Sequence, residues 1–146
     1  MNLDTKKLIE KRYGKLKVYP DGFSVKEVMH NSGSGKVEPI LQEKPWGAEV
    51  WLVYTPRYAF KHFFIENGKR LSLQKHTEKS ETYFVASGEA AITLNDKKIT
   101  AKAGDVIHVD AGTAHRIEAS NGDVEIFEAS SPELWDVTRL EDDYGR

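Results

Sequence analysis

The sequence predicts an all-β domain, an antiparallel barrel or double-sheet jelly roll. Three observations carry this. Hydrophobicity alternates with a period of two from residue 48 onward. Turn residues punctuate that stretch at short, regular intervals. No helical segment lies between the strands, and a parallel sheet cannot be built without such crossovers.

Taken in chain order, residues 2–12 form a short amphipathic helix with Leu3, Leu8 and Ile9 as its apolar anchors. Residues 31–36, NSGSGK, make a polar Gly/Ser loop between this N-terminal arm and the body. The loop is not a phosphate loop: His30 stands where the first glycine belongs, and Val37 follows Lys36 in place of Ser or Thr. Strands then follow at 48–54, 58–65, 70–76, 81–86, 89–95, 98–103, 105–110, 115–119 and 124–130. They are rich in Val, Ile, Thr and aromatics. Asn67-Gly68 and Asn121-Gly122 read as hairpin turns. The charged tail from Ser131 carries Leu134, Trp135, Val137 and Leu140, which are expected to dock on the body. One domain, 1–146 with its core at about 45–130, fits the length.

Composition excludes several chemistries. The chain has 146 residues, 21 Lys+Arg against 23 Asp+Glu, a net charge of −2, and no cysteine. Disulfides, thiolate metal sites and cysteine nucleophiles are therefore out. The charge balance argues against nucleic acid, and no run approaches the ~18 apolar residues of a membrane span. The N-terminus lacks the apolar core of an export signal, so the cytoplasm is expected. Free sheet edges favour a homodimer.

The residues that carry chemistry cluster around His76. Gln74 shares its strand face, because i and i+2 project to one side. The Thr77–Ser80 turn returns Glu81 toward it, and the Asp110–Ala114 turn delivers His115 to the start of another strand. Two imidazoles, a carboxylate and an amide oxygen make a donor set for a borderline divalent cation.

These spacings resemble the cupin family. Gln74-x-His76-x4-Glu81-x6-Gly88 follows the first cupin motif, and Gly104-x5-Asp110-x-Gly112-x2-His115 follows the second. Gln74 replaces a histidine, Asp110 a proline and Ala119 an asparagine. The block RLSLQ-x-H, with KPWG at 44–47 and the pair His115-Arg116, is similar to the phosphomannose isomerase branch and to the isomerase domain of bifunctional mannose-1-phosphate guanylyltransferases. The resemblance implies a cupin barrel and a metal held by Gln74, His76, Glu81 and His115. Zinc comes first, with Mn, Fe, Ni or Co as alternatives. It also implies aldose–ketose isomerisation of a sugar phosphate, mannose 6-phosphate above all.

Other residues are read by parity. Arg70 shares the face of Gln74 and His76, and is expected either to act at the pocket mouth, as a substrate-binding and catalytic residue holding the phosphate or the enediolate, or to reach water. Tyr83 shares the face of Glu81 and either touches substrate or fills the core. Arg116 is catalytic by resemblance but points outward by parity, toward a structural ion pair. His62 lies between Phe60 and Phe64 and is either a pocket base or core, while His30, His108 and Lys79 read as solvated. The general base stays unassigned. The competing functions are a non-catalytic sugar- or metabolite-binding metal cupin and an iron-dependent oxygenase using His76, Glu81 and His115.

Overall fold

The computed structural model describes residues 1–146. After α1 (Leu3–Tyr13) come β1 (Lys17–Tyr19), a single 3-10 turn (Val25–Glu27), β2 (Ile40–Lys44), β3 (Gly47–Tyr54), β4 (Ala59–Ile65) and β5 (Leu73–Lys75). Then follow β6 (Glu81–Ser87), β7 (Glu89–Leu94), β8 (Lys97–Lys102), β9 (Val106–Val109), β10 (His115–Glu118), β11 (Val124–Ser130) and β12 (Thr138–Glu141). Two sheets face each other, in the orders β1-β2-β3-β4-β11-β6-β9 and β12-β5-β10-β7-β8. The main core fills the space between them, with Trp46, Phe63, Tyr83, Val85, Ile92, Ile117 and Ile126 all buried. This is a two-sheet jelly roll, as the alternating pattern predicts.

The nine expected strands all form, though 70–76 shrinks to Leu73–Lys75. Three further strands, β1, β2 and β12, lie where alternation is too short to stand out. β1 pairs parallel with β2, which the long intervening segment permits. The two Asn-Gly pairs are not hairpins. Each turns the chain from one sheet to the other, after β4 and after β10. The two corners bond to one another: Asn67 N donates to Asp123 Oδ1 at 2.8 Å, and Gly122 N to Asn67 Oδ1 at 2.9 Å. Gly88 makes a third corner; its φ is 82°, and a Cβ there would lie 2.3 Å from Asp123 O.

Alone, α1 would be marginal. Asn2 caps it by accepting from Thr5 N, and Glu66 Oε2 accepts from both Asn2 N and Thr5 Oγ1. Ile9 packs with Leu41, Ala48, Val50 and Phe64 on the outer face of β2–β4. The helix therefore covers the sheet face turned away from the inter-sheet core.

Candidate metal centre

β5 and β10 run antiparallel with Gln74 opposite His115, so their side chains meet across one ladder rung. His76 lies just past β5. Glu81 opens β6 in the other sheet, and the Thr77–Ser80 turn carries the chain between the two. Gly112 N donates to His76 O at 2.7 Å, which ties the second motif to the first. Nε2 of His76, Nε2 of His115 and a Glu81 oxygen all lie within 4.8 Å of one another, and all three residues are buried. Glu81 Oε1 is 2.6 Å from His115 Nε2 and 3.3 Å from His76 Nε2.

Both imidazoles are oriented by backbone carbonyls. His76 Nδ1 donates to Asp136 O at 2.6 Å, and His115 Nδ1 to Thr113 O at 2.9 Å. Each Nε2 is thereby left as a lone-pair donor pointing at a carboxylate. His76 Nε2 has no hydrogen-bond partner although it is buried. Such an orphan is costly, and lone pairs converging on a carboxylate call for a cation between them. The donor set fits a divalent ion. Gln74 Nε2 lies 3.4 Å from His115 Nε2, while Gln74 Oε1 accepts from Ser72 Oγ at 3.1 Å. A hydroxyl both donates and accepts, so Ser72 also serves the amide turned over, with Oε1 toward the centre.

The electrostatics favour an ionised Glu81. Burial opposes its charge, but the Lys79 ammonium, with Nζ 2.9 Å from Oε2, holds its carboxyl well below the usual range. Tyr83 Oη donates to Glu81 Oε1 at 2.6 Å. Lys79 also lies 3.6 Å from Glu128 Oε1. Burial pushes Glu128 up to about 8, against the pull of Lys79. Its Oε1 has no hydrogen-bond partner.

The centre opens into a cavity of about 370 Å³ between the sheets, lined by Gln74, His76, Lys79, Glu128, Lys61 and Glu49. Lys61 pairs with Glu49 at 3.2 Å. Phe23, Trp135 and Arg139 also line it. Arg139 lies opposite Gln74 on β12 and, unlike Lys44, Lys61, Lys79 and Arg146 around the same cavity, has no carboxylate partner.

Several expected placements are corrected. Arg70 does not share the interior face of Gln74. Leu71 and Ser72 are both buried, so alternation breaks there, and Arg70 turns outward to Asp143 at 2.7 Å and Glu118 at 3.4 Å. His62 lies on the outer face beneath α1, bonded to Tyr13 Oη and Glu125, and not in the cavity. Arg116 makes the structural ion pair that parity predicts and no catalytic contact: it is buried and spent on Leu71 O and Glu141, clamping β12. Tyr83 braces Glu81 from within the core and is not part of the cavity lining. Lys79, read as solvated, is buried at 5% exposure. Glu49, Lys61, Glu128, Asp136 and Arg139 were not singled out in the sequence. The first three share the inward parity of Trp51, Phe63 and Ile126, which was the available signal.

Residues 38–142 fit the family described as mannose-6-phosphate isomerase C-terminal. The chain belongs to this family. Among its relatives are the alginate biosynthesis protein AlgA of Pseudomonas aeruginosa, 34% identical over 108 residues, and mannose-1-phosphate guanylyltransferase 2 of Escherichia coli O157:H7, 35% identical over 75 residues. The matches cover 70% and 51% of this chain but only 22% and 16% of those proteins. The chain thus spans about a quarter or less of their length. Among solved structures, the capsular polysaccharide assembling protein CapF of Staphylococcus aureus superposes with a TM-score of 0.61 at 20% identity, over 71% of this chain and 32% of that one. A cupin superfamily protein of Desulfitobacterium hafniense gives 0.53 at 26% identity, over 58% and 76%. The fold is that of the cupins. No helix is long and apolar enough to cross a membrane.

Proposed function

We propose that this domain is a metal-dependent aldose–ketose isomerase acting on a hexose 6-phosphate of the mannose–fructose pair. The carrying observation is the convergence of His76, Glu81 and His115 beside a charged cavity that His76 and Gln74 line, with a Glu128 oxygen in its wall that pairs with Lys79 but has no hydrogen-bond partner. The family match and the RLSLQ-x-H block support the same reading. Zinc is the expected ion, held by His76, Glu81 and His115 with Gln74 beside them. A divalent ion there polarises substrate oxygens as a Lewis acid.

The reaction moves one proton from carbon to carbon, between C2 and C1, and a second from oxygen to oxygen, between O2 and O1, so that the carbonyl changes place. Glu128 is the carboxyl group placed to take that proton from one carbon and return it to the other on the same face. Lys79 holds Glu81 and Glu128 in one arrangement. Arg139, the uncommitted cation, receives the phosphate. Lys61 and Glu49 offer a donor and an acceptor to sugar hydroxyls.

The test is elemental analysis of the purified protein, followed by assay of mannose 6-phosphate and fructose 6-phosphate interconversion. Bound divalent metal with turnover, abolished in Glu128→Gln, is the expected result. Bound metal with tight sugar binding and no turnover would make the domain a non-catalytic sugar cupin.

A further inference from the structure

We propose that Asp136 is a positioning residue of the metal centre: it fastens the C-terminal segment to the Thr77–Lys79 turn, so that metal binding and docking of β12 are one coupled event. This rests on His76, Glu81 and His115 being a metal centre, and not on the isomerase activity.

One residue makes four hydrogen bonds to four consecutive residues. The Asp136 carboxylate accepts from Thr77 N at 3.0 Å, Glu78 N at 2.6 Å and Lys79 N at 2.9 Å. Its main-chain oxygen accepts from His76 Nδ1 at 2.6 Å. A carboxylate seated on consecutive backbone N–H groups is a charge-assisted anchor. The carbonyl, which selects the His76 tautomer that leaves Nε2 free, is held in place by that anchor.

Apolar packing does little to hold the segment there; its other anchors are polar contacts further along the tail, Glu141 to Arg116 and Asp143 to Arg70. Leu134 is its one deeply buried apolar side chain, Trp135 is 61% exposed, and every residue of β12 is exposed. β12 pairs with β5, the strand that carries Gln74, through a ladder with a register shift. Detachment of Asp136 therefore frees His76 Nδ1 and loosens the neighbouring end of the β12–β5 pairing, where Thr138 lies opposite Lys75 and Arg139 opposite Gln74. Outer partners of this kind change metal affinity by about 10–100-fold. By linkage, whatever docking does for the metal, the metal does for docking.

The test compares Asp136→Asn with Asp143→Asn, which breaks an Arg70 pair in the same tail without touching the turn. Zinc and cobalt affinities are measured by competition titration below the unfolding transition. Hydrogen exchange of residues 131–141 is followed with and without metal. Asp136→Asn is expected to bind metal about 10–100-fold more weakly, with Asp143→Asn at the wild-type value. Metal should slow exchange of 131–141 in the wild type and not in Asp136→Asn. Equal weakening in both variants would reduce the effect to general loosening of the tail and overturn the proposal. So would wild-type affinity in Asp136→Asn. Should that variant not fold, exchange of 131–141 in the wild type that ignores metal overturns it alone. Absence of metal uptake by the wild type sinks the centre itself, whereas metal binding without turnover sinks only the isomerase.

Discussion

His62 makes α1 docking sensitive to acid. The ring is fully buried, sandwiched at 4.1 Å between Phe64 and Phe127, with Nδ1 2.6 Å from Tyr13 Oη and Nε2 3.0 Å from Glu125 Oε1. As a neutral ring it donates from Nε2 to Glu125 and accepts from Tyr13. Burial lowers its pKa from 6.5 to about 4, with Glu125 opposing and Arg12 assisting. A proton thus binds the unfolded chain more readily than the folded one between those values, and stability is lost as pH falls through that window. At about 1.4 kcal/mol per pH unit the ceiling is ~3 kcal/mol; with one partner reaching solvent, ~2 kcal/mol is the working figure. That corresponds to ~5 °C in Tm for a domain of this size.

The assay is urea unfolding from pH 7 to pH 4.5 for the wild type and His62→Gln. Glutamine keeps a donor and an acceptor without a titrating charge. The wild type should lose ~2 kcal/mol more than the variant across this range. Parallel curves would refute the assignment of the slope to His62. Metal content and turnover should be the same in both proteins at pH 7, because His62 lies outside the cavity. A loss of either would restore it as a pocket residue.

Three further outcomes are expected. Arg139→Ala should retain its metal yet lose about 10–100-fold in kcat/KM on phosphorylated sugars, one charge-assisted contact being worth ~1.5–3 kcal/mol; equal loss on neutral sugars would count against a phosphate role. His76→Ala should remove most bound metal by elemental analysis, since it deletes a ligand whose Nε2 has no other partner; full metal occupancy would refute the site. Gly88→Ala should destabilise by several kcal/mol in thermal unfolding, because a Cβ would lie 2.3 Å from Asp123 O at a φ of 82°; a wild-type Tm would mean the corner yields.

The central strands were legible because each is half-buried, and a half-buried strand writes its two faces as alternation. The metal residues were legible because the turns between them are tight, so spacing maps onto position. Arg70 defeats the parity argument at one point: Leu71 joins the core and Ser72 faces Gln74, so two consecutive side chains go inward and the count slips. The Asn-Gly signals reported turns correctly but not which strands they join. Nothing local in Asn67-Gly68 says that the next strand belongs to the other sheet. β12 was not legible because its partners are distant. Arg116, Asp143 and Tyr144 hold the tail through contacts spanning 25 to 74 residues of sequence.

The inward-facing charges argue most about purpose. Glu49, Lys61 and Glu128 occupy positions on β3, β4 and β11 where alternation would place apolar side chains, Lys79 lies in the turn before β6, and all four are buried. A fold under pressure for stability alone gains little from buried ion pairs over well-packed hydrophobic residues, and often loses. Their position beside the His76–Glu81–His115 group, around one cavity, suits the sugar substrate proposed above: donors and acceptors already desolvated and held in place. The same wall would be a liability in a domain that carried a metal only to stabilise its fold. Substituting Lys61 by Met and Glu49 by Gln together, which keeps an acceptor for the buried Trp51 Nε1, should therefore leave stability near the wild-type value while sugar binding is lost, measured by urea unfolding and calorimetric titration. Loss of stability without loss of sugar binding would assign the pair to the core and remove this argument for a sugar site.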